Sequence, residues 1–437
     1  MNQLQLFLPC AAGVEDYLAA EVARIAQQPL AQVQKWRAGV LLQASWRDAM
    51  LLNLHSRLAQ RVLVQLGHAQ YRNEQDLYRA ASDVAWEIWF TPRESIKVEV
   101  TAQHSPLTSL NFAALKIKDA VCDRFRAKAG GVRPDVDTQR PDIRIYAHLT
   151  TDTVSLYVDT SGEALFKRGW REDTGEAPLK ETLAAAMLAA SGWADMPSLP
   201  LYDPCCGSGT IAIEAAQIAC NIAAGSLRRF AFEKMLPFQP HVWQAMHETA
   251  RQAQRLPAPG SAPTIFGSDV AHRMVDFAQR NARRAGVADA IAFRGGDALQ
   301  RLPPCDAPAM MLVNPPYGER IATAGFAGAH THRRGRPDAP GELDATAPSN
   351  RGAREQAQTE DGGDFFVQLA AHWKKHFAGW TIWLLTPDLK LPGAMRLKAA
   401  RRVPMWNGPI ECRMFRFDMV QGSARTAKPA EPVVRGN

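Results

Sequence analysis

Cysteine is scarce in this sequence, with seven residues in 437. Cys10, Cys122, Cys205, Cys206, Cys220, Cys305 and Cys412 are scattered, odd in number and without a Cys-x-x-Cys pair. That pattern excludes a disulfide framework and a thiolate zinc site, and predicts reduced thiols. Long apolar runs are also missing: none approaches the ~20 residues of a membrane-spanning helix. The N-terminus lacks a basic stretch followed by an apolar core and a small-residue cleavage site, so no secretory signal is expected. A cytoplasmic protein without membrane or metal partners is the expectation.

What is present is a globular composition, 46% hydrophobic and 22% charged. A chain of 437 residues exceeds one ordinary core and predicts two or three domains. The net charge of +7 favours a polyanionic partner, because Lys and Arg gain affinity by displacing counterions from phosphates. A mildly basic protein with no such partner has the same charge.

Leu4 to Pro9 reads as a strand, and Val14 to Ile25 as a helix with Leu18, Val22 and Ile25 at helical spacing. A second helix is predicted from Trp46 to Leu66, with Arg57 and Arg61 on one solvated face. Ser95 to Gln103 alternates with period two, as a half-buried strand does. Ala114, Ile117, Val121 and Phe125 then form a helical stripe, with Lys116, Lys118, Arg124 and Lys128 off it. Ile143 to Leu149 and Val154 to Val158 read as paired strands. The region to about residue 160 is thus an α+β unit with a basic helix.

Past Gly162 strands alternate with helices. Strands are expected at Leu201 to Asp203, Thr264 to Asp269, Ala290 to Phe293, Ala309 to Val313 and Trp380 to Leu385, and helices from Thr210, Ala271 and Phe365. This is the pattern of an α/β domain with a largely parallel sheet, whose ligands bind beyond the C-terminal strand ends. Ala223 to Pro263 reads as an inserted stretch. Ala322 to Gly363, without apolar periodicity, is expected to be a disordered insertion, and Ser423 to Asn437 a loose tail. His330-Thr331-His332-Arg333-Arg334 reads as a basic loop and not a metal site, since no carboxylate or thiol stands at ligand spacing.

Two segments carry the chemistry. Asp203-Pro204-Cys205-Cys206-Gly207-Ser208-Gly209-Thr210 runs from a strand into an apolar helix. Glycines there permit positive φ and let a ligand approach the backbone, and the helix N-terminus offers free N–H groups. A Walker phosphate loop is excluded because no Gly-Lys-Ser/Thr follows. Asp269, ending the next strand, is placed to accept hydrogen bonds from ribose hydroxyls. Asp297 follows the strand after that and is a candidate for adenine contact, although Gly295-Gly296-Asp297 also reads as a plain turn.

The second segment, Asn314-Pro315-Pro316-Tyr317, follows a short apolar strand. An exocyclic amine is a poor nucleophile because its lone pair is delocalised. The Asn314 side-chain oxygen and the Pro315 carbonyl, aimed at its N–H groups, would favour a tetrahedral nitrogen and stabilise the charge that develops during transfer. Tyr317 supplies a stacking face. Alone, the tetrapeptide reads first as a Pro-Pro turn closing a strand, and it is the combination with the glycine loop and the two strand-end acids that makes it an acceptor loop. No cysteine lies in this loop, so Cys205 and Cys206 read as packing residues and not as thiolate nucleophiles.

In this order the motifs resemble the bacterial 23S rRNA guanine-N2 methyltransferases of the RlmL type. The likeness runs from Phe7-Leu8-Pro9-Cys10 through Leu54 to Arg61, Phe166-Lys167-Arg168-Gly169-Trp170-Arg171 and Glu176-Ala177-Pro178-Leu179-Lys180-Glu181. It continues through the two loops, Asn281-Ala282-Arg283-Arg284-Ala285-Gly286, Leu385-Thr386-Pro387-Asp388 and Phe415-Arg416-Phe417.

The resemblance implies a Rossmann-like class I methyltransferase domain at residues 161–420, interrupted at 321–363 and followed by a tail at 421–437. Before it come a ferredoxin-like piece at 1–55 and a THUMP RNA-binding domain at 56–160. The implied cofactor is S-adenosylmethionine, held by Asp203, Pro204, Gly207, Ser208, Gly209, Thr210, Asp269, Asp297 and Asn314. Asn314, Pro315, Pro316 and Tyr317 are the implied catalytic loop, and 23S rRNA or a large-subunit precursor the partner. Some relatives are fused to a second methyltransferase that makes 7-methylguanosine, and none is expected in these 437 residues. Similar acceptor loops serve adenine-N6 and glutamine-amide methyltransferases, and a non-catalytic RNA-binding assembly factor is the remaining alternative. The sequence leaves the oligomeric state open.

Overall fold

The computed structural model describes residues 3–175, 178–258, 260–315 and 365–420. The expected insertion, the tail, the His330 to Arg334 run, Pro316 and Tyr317 lie outside the described residues.

The chain begins β1 (Leu4–Pro9), α1 (Glu15–Ile25), β2 (Gln34–Trp36), β3 (Gly39–Ala44), α2 (Trp46–His55) and β4 (Leu63–Gln70). This βαββαβ order is that of a ferredoxin-like unit. Helix α1 buries Leu18, Ala19, Val22 and Ala23 against the sheet. Ser45 opens α2 with a capping box: its hydroxyl accepts the Asp48 N–H, and Asp48 accepts the Ser45 N–H.

The helix predicted to run to Leu66 stops at His55. Glu21 of α1 stops it, because its carboxylate accepts the backbone N–H groups of Arg57 and Leu58 and the Ser56 hydroxyl. Those amides would otherwise have continued the helical ladder. The Leu54 carbonyl is likewise taken by the N–H of Gly225. Arg57 and Arg61 therefore do not share a solvated helix face. Arg61 donates to Asp159 at 2.5 Å, and Arg57 turns inward.

Next come α3 (Glu74–Asp83), β5 (Ile96–Ala102), α4 (Leu110–Lys128), β6 (Ile143–Leu149) and β7 (Thr153–Asp159). Strands β1 to β7 make one sheet in the order β2-β3-β1-β4-β7-β6-β5. Strand β4 pairs with β1 on one side and β7 on the other, so the ferredoxin-like unit and the α+β unit after it share a continuous sheet. The stripe on α4 is buried at Ile117, Val121 and Phe125. Of its basic residues, Arg124 is held by both carboxylate oxygens of Glu87.

The second half runs α5 (Glu181–Ser191), β8 (Leu201–Asp203), α6 (Thr210–Ala219), α7 (Pro240–Gln252), β9 (Ile265–Asp269), α8 (His272–Arg284), β10 (Ile291–Gly295) and β11 (Met310–Val313). After the undescribed segment come α9 (Phe365–His376), β12 (Thr381–Thr386), β13 (Arg401–Asn407) and β14 (Ile410–Asp418). The sheet order is β10-β9-β8-β11-β12-β14-β13, parallel through β12 and antiparallel at β14 and β13. This is the α/β alternation that the sequence predicts. The stretch read as inserted is folded: Phe230, Phe232 and Trp243 form an aromatic cluster, and Phe232 meets Trp46 of α2 edge-on.

The two halves are joined through a buried carboxylate. Glu214 of α6, fully shielded from solvent, accepts from Arg57 Nη1 and Arg168 Nε, each at 3.0 Å. Arg168 also donates to the Arg57 carbonyl, and Arg57 to the Ile222 carbonyl. Burial alone would raise the Glu214 carboxyl, but the Arg168 and Arg57 guanidiniums outweigh it and hold the group below the usual range. Its contribution to stability is therefore present at neutral pH and is lost as pH falls through that lowered value. Glu214→Ala strands two buried guanidiniums and should cost about 3–5 kcal/mol. Denaturant unfolding at neutral pH measures this, and a loss under about 1 kcal/mol would show that the network does not hold the halves together.

Candidate active site

Strands β9, β8 and β11 are parallel neighbours, so their C-terminal ends lie side by side. Asp269 ends β9, Asp203 ends β8, and Asn314 follows β11. The chain reverses its direction of sheet-building between β8 and β11, the crevice where open α/β sheets bind ligands.

The β8–α6 loop is shaped by two glycines. Gly207 has φ +52°, and a Cβ built there meets open space, which leaves a face of the loop free for a ligand. Gly209 has φ +90°, and its Cβ would come within 2.9 Å of the Ala278 Cβ on α8, so this glycine permits close packing. Asp269 is tied to the loop: one oxygen accepts the Gly207 N–H at 2.9 Å, the other the Ala271 N–H at 2.9 Å. Asp203 accepts the Cys205 N–H at 3.1 Å. Asp203 is buried, and its pKa is pushed up to about 8, by desolvation first, with the nearby Asp269 adding to the rise.

The other expected contact residues divide. The Ser208 hydroxyl accepts from Arg171 Nη1 at 3.0 Å, and the Thr210 hydroxyl from Arg171 Nη2 at 2.8 Å. Both side chains are thus turned to the segment before α5. Pro204 offers its carbonyl to the Ser268 hydroxyl at 3.5 Å. Asp297 accepts the Leu299 N–H at 2.9 Å and closes a turn after β10. At β11 the Asn314 Oδ1 is buried without a hydrogen-bond partner among the described residues, and Pro315 beside it is buried. A buried acceptor left unpaired costs about 1–3 kcal/mol, so this oxygen is available to a donor brought by a ligand. Cys205 and Cys206 are held well above the usual thiol range by burial and the neighbouring carboxylates, which suits packing residues.

Some supporting residues carry no role in the sequence reading. Arg171 also donates to Glu181 at 2.7 Å and to the Leu179 carbonyl at 3.2 Å, fastening α5 to the loop. Asn281 of α8, fully buried, donates to the carbonyls of Asp173 and Ser208. Arg280 and Arg284 hold Asp173, whose carboxyl stays well below the usual range. The signal for these residues lay in Gly169-Trp170-Arg171 and Asn281-Ala282-Arg283-Arg284, two of the runs that carry the family resemblance.

Three family models match the sequence: the RlmL ferredoxin-like domain at residues 5–63, the THUMP domain at 71–159, and the RMKL-like methyltransferase domain at 168–332. The chain thus carries, in order, matches to the three domains that the RlmL resemblance implies. The methyltransferase-domain match implies a methyl donor, for which S-adenosylmethionine is the candidate. The open face at Gly207 fits such a ligand. Among the relatives, ribosomal RNA large subunit methyltransferase K/L of Shewanella amazonensis is 35% identical over 98% of this chain and 55% of its own. The protein of the same name from Aeromonas hydrophila is 34% identical over 97% of this chain and 56% of its own. The chain thus spans about half the length of these curated relatives.

Among solved structures, a methyltransferase named SMU.472, complexed with SAH, superposes with a TM-score of 0.77 at 24% identity, covering 96% of this chain and 98% of that one. A Listeria monocytogenes methylase, described as N6-adenine-specific for DNA, gives 0.76 at 26% identity, covering 95% and 96%. Gly209→Ala should cost roughly 1–3 kcal/mol through overpacking against Ala278, and should weaken S-adenosylmethionine binding. Thermal melts with and without cofactor check this, and wild-type stability with wild-type affinity would contradict the packing role.

Proposed function

We propose that this chain transfers a methyl group from S-adenosylmethionine to the exocyclic N2 of a guanine in 23S rRNA. The observation that carries the reading is the buried, unpartnered Asn314 Oδ1 at the C-terminal end of β11, one strand from Asp203. S-adenosylmethionine supplies a methyl activated on a sulfonium. Asn314 Oδ1 and the Pro315 carbonyl accept the two N–H bonds of the amine, turn its lone pair toward that methyl, and stabilise positive charge as the N–C bond forms and the C–S bond breaks. The proton then leaves the methylated nitrogen to solvent. In this reading Asp269 is assigned to the ribose hydroxyls and Asp297 to the adenine, with Asp203, Pro204 and the backbone of Gly207 to Thr210 as the floor of the cofactor site.

The acceptor chemistry alone also suits adenine N6, as the description of the Listeria methylase illustrates. The THUMP match at residues 71–159 and relatives named for ribosomal RNA favour an RNA substrate of the large subunit. Guanine N2 rests on the RlmL resemblance. Incubation with unmodified 23S rRNA and labelled methyl donor, followed by nucleoside mass spectrometry, should give N2-methylguanosine. Label in N6-methyladenine, or in protein and not RNA, would overturn the reading.

Asn314→Ala should lower kcat by about 10²–10³ with little change in RNA affinity. Single-turnover kinetics beside RNA binding separates the two, and undiminished turnover would remove Asn314 from the chemistry. The raised Asp203 gives a pH dependence. With a pKa near 8 the group is mostly protonated at neutral pH, and a cationic cofactor favours its ionised form. Binding should therefore release protons near pH 7, and affinity should rise as pH approaches about 8. Calorimetry in buffers of different ionisation enthalpy reads that release directly. Asp203→Asn should abolish the Asp203 share, and identical proton release in both proteins would contradict the assignment.

A further inference from the structure

A cleft of about 550 Å³ lies outside the strand-end site, between the segment that precedes α5 and the turn at Arg228 and Arg229. Phe166, Lys167, Arg171, Lys180, Arg228 and Arg229 are among its lining residues. Its size is that of a site for one small ligand. The cations are not equivalent. Lys167 pairs with Glu163, Arg171 with Glu181, and Arg229 with Glu233. Arg228 is spent on the carbonyls of Ser161, Glu163, Ala164 and Lys167, and so fixes the shape of one wall.

Lys180 is exposed and, among the described residues, forms no ion pair. Its ammonium rests over the Phe166 ring at 5.2 Å from the centroid. An exposed cation–π contact of this kind is weak, and a phosphate replaces it at little cost. Lys167 and Arg229 are also solvent-exposed: Lys167 stands in a surface ion pair that a phosphate outcompetes readily, and Arg229 reaches from solvent to a mostly buried Glu233, whose other oxygen is held by the Phe230 N–H. The cleft therefore offers three movable cations around one aromatic face.

Its floor connects to the catalytic half. Arg171 lines the cleft and donates to Ser208 and Thr210 of the cofactor loop. A ligand held here lies one side chain from that loop. We propose that the cleft takes one nucleotide of the RNA strand flanking the target base, with its phosphate on Lys180, Lys167 and Arg229 and its base on Phe166. This rests on the RNA-substrate reading. Charge complementarity selects the occupant: a cationic rim draws a polyanion, and a lone aromatic face takes any base without reading its sequence.

The test titrates full-length protein with a fluorescent, short single-stranded RNA of mixed sequence at several salt concentrations. The double variant Lys180→Ala with Arg229→Ala should bind about tenfold more weakly, and its slope of log affinity against log salt should be shallower by about 1–2. Phe166→Ala should lose roughly fivefold or more. Lys180→Arg should bind as the wild type does. Unchanged S-adenosylmethionine affinity in each variant shows that the loop and fold are intact. Wild-type RNA affinity and salt slope in such folded variants would overturn the proposal. So would a loss confined to cofactor affinity, or displacement of the RNA by an acidic peptide at matched charge. Failure of the wild type to bind or methylate any RNA would bring down the RNA-substrate reading itself. If the wild type methylates 23S rRNA and the variants do so equally well, only the cleft assignment falls.

Discussion

The buried carboxylate of Glu214 is the constraint on which the rest of the molecule depends. It lies on α6, the helix that the cofactor loop opens, and it is neutralised by one arginine from the N-terminal half and one from the connecting segment. A lone buried carboxylate would be very costly in this position, so α6 and the N-terminal half are stable only together. The consequence reaches the site, because the orientation of α6 sets the orientation of Ser208, Gly209 and Thr210 at its start. In the proposed function, RNA held by the N-terminal sheet would thereby lie at a fixed distance from the strand ends.

A second chain of contacts runs from the same connecting segment to the loop itself. Arg168 serves Glu214, and three residues later Arg171 serves Glu181, Ser208 and Thr210. Gly169 lies between them with φ +98°, its would-be Cβ 2.4 Å from the Leu227 carbonyl. Only glycine lets the two arginines diverge at that spacing while Trp170 stays buried. Removing the N-terminal half would therefore do more than subtract the surface proposed to hold RNA. It would unpair Glu214 and disturb the segment that steadies the cofactor loop, so a truncated chain cannot separate recognition from catalysis.

Much of this was legible in the sequence wherever the information is local. Strands β1, β8 and β11 are short apolar runs bounded by turn chemistry, and the Asp203 to Thr210 loop declares its bend through its glycines. Asp269 and Asn314 were readable because each closes a strand. The overrun of α2 was not legible, since Leu54 to Arg61 has good helical character and the residue that stops it, Glu21, is more than thirty positions away. Arg57 and Arg61 misled for the same reason: four-residue spacing means a shared face only while the helix lasts. Arg171 and Asn281 went without a role because their partners are distant in sequence. Strands β13 and β14 escaped notice because basic residues such as Arg401, Arg402 and Arg413 break the apolar pattern at the sheet edge.

The chemistry needs little beyond this placement. Methyl transfer to an exocyclic amine calls for no base of tuned pKa, since the nitrogen sheds its proton after the bond has formed. The unusual titration in the site belongs to Asp203, a carboxylate buried beside another carboxylate. Held protonated, it lets two acids share the strand ends without full charge repulsion. Ionised, it makes the pocket complementary to a cation. In the proposed function cofactor binding and the charge state of the strand ends are then one equilibrium, so that the site would become electrostatically complete only when the methyl donor enters. In the proposed reaction the Asn314 oxygen, buried and unpaired among the described residues, answers a different event, the arrival of an amine with two N–H bonds to give. Separating the two requirements, charge for the cofactor and hydrogen-bond acceptance for the base, lets neighbouring strands supply both without either group being compromised for the other.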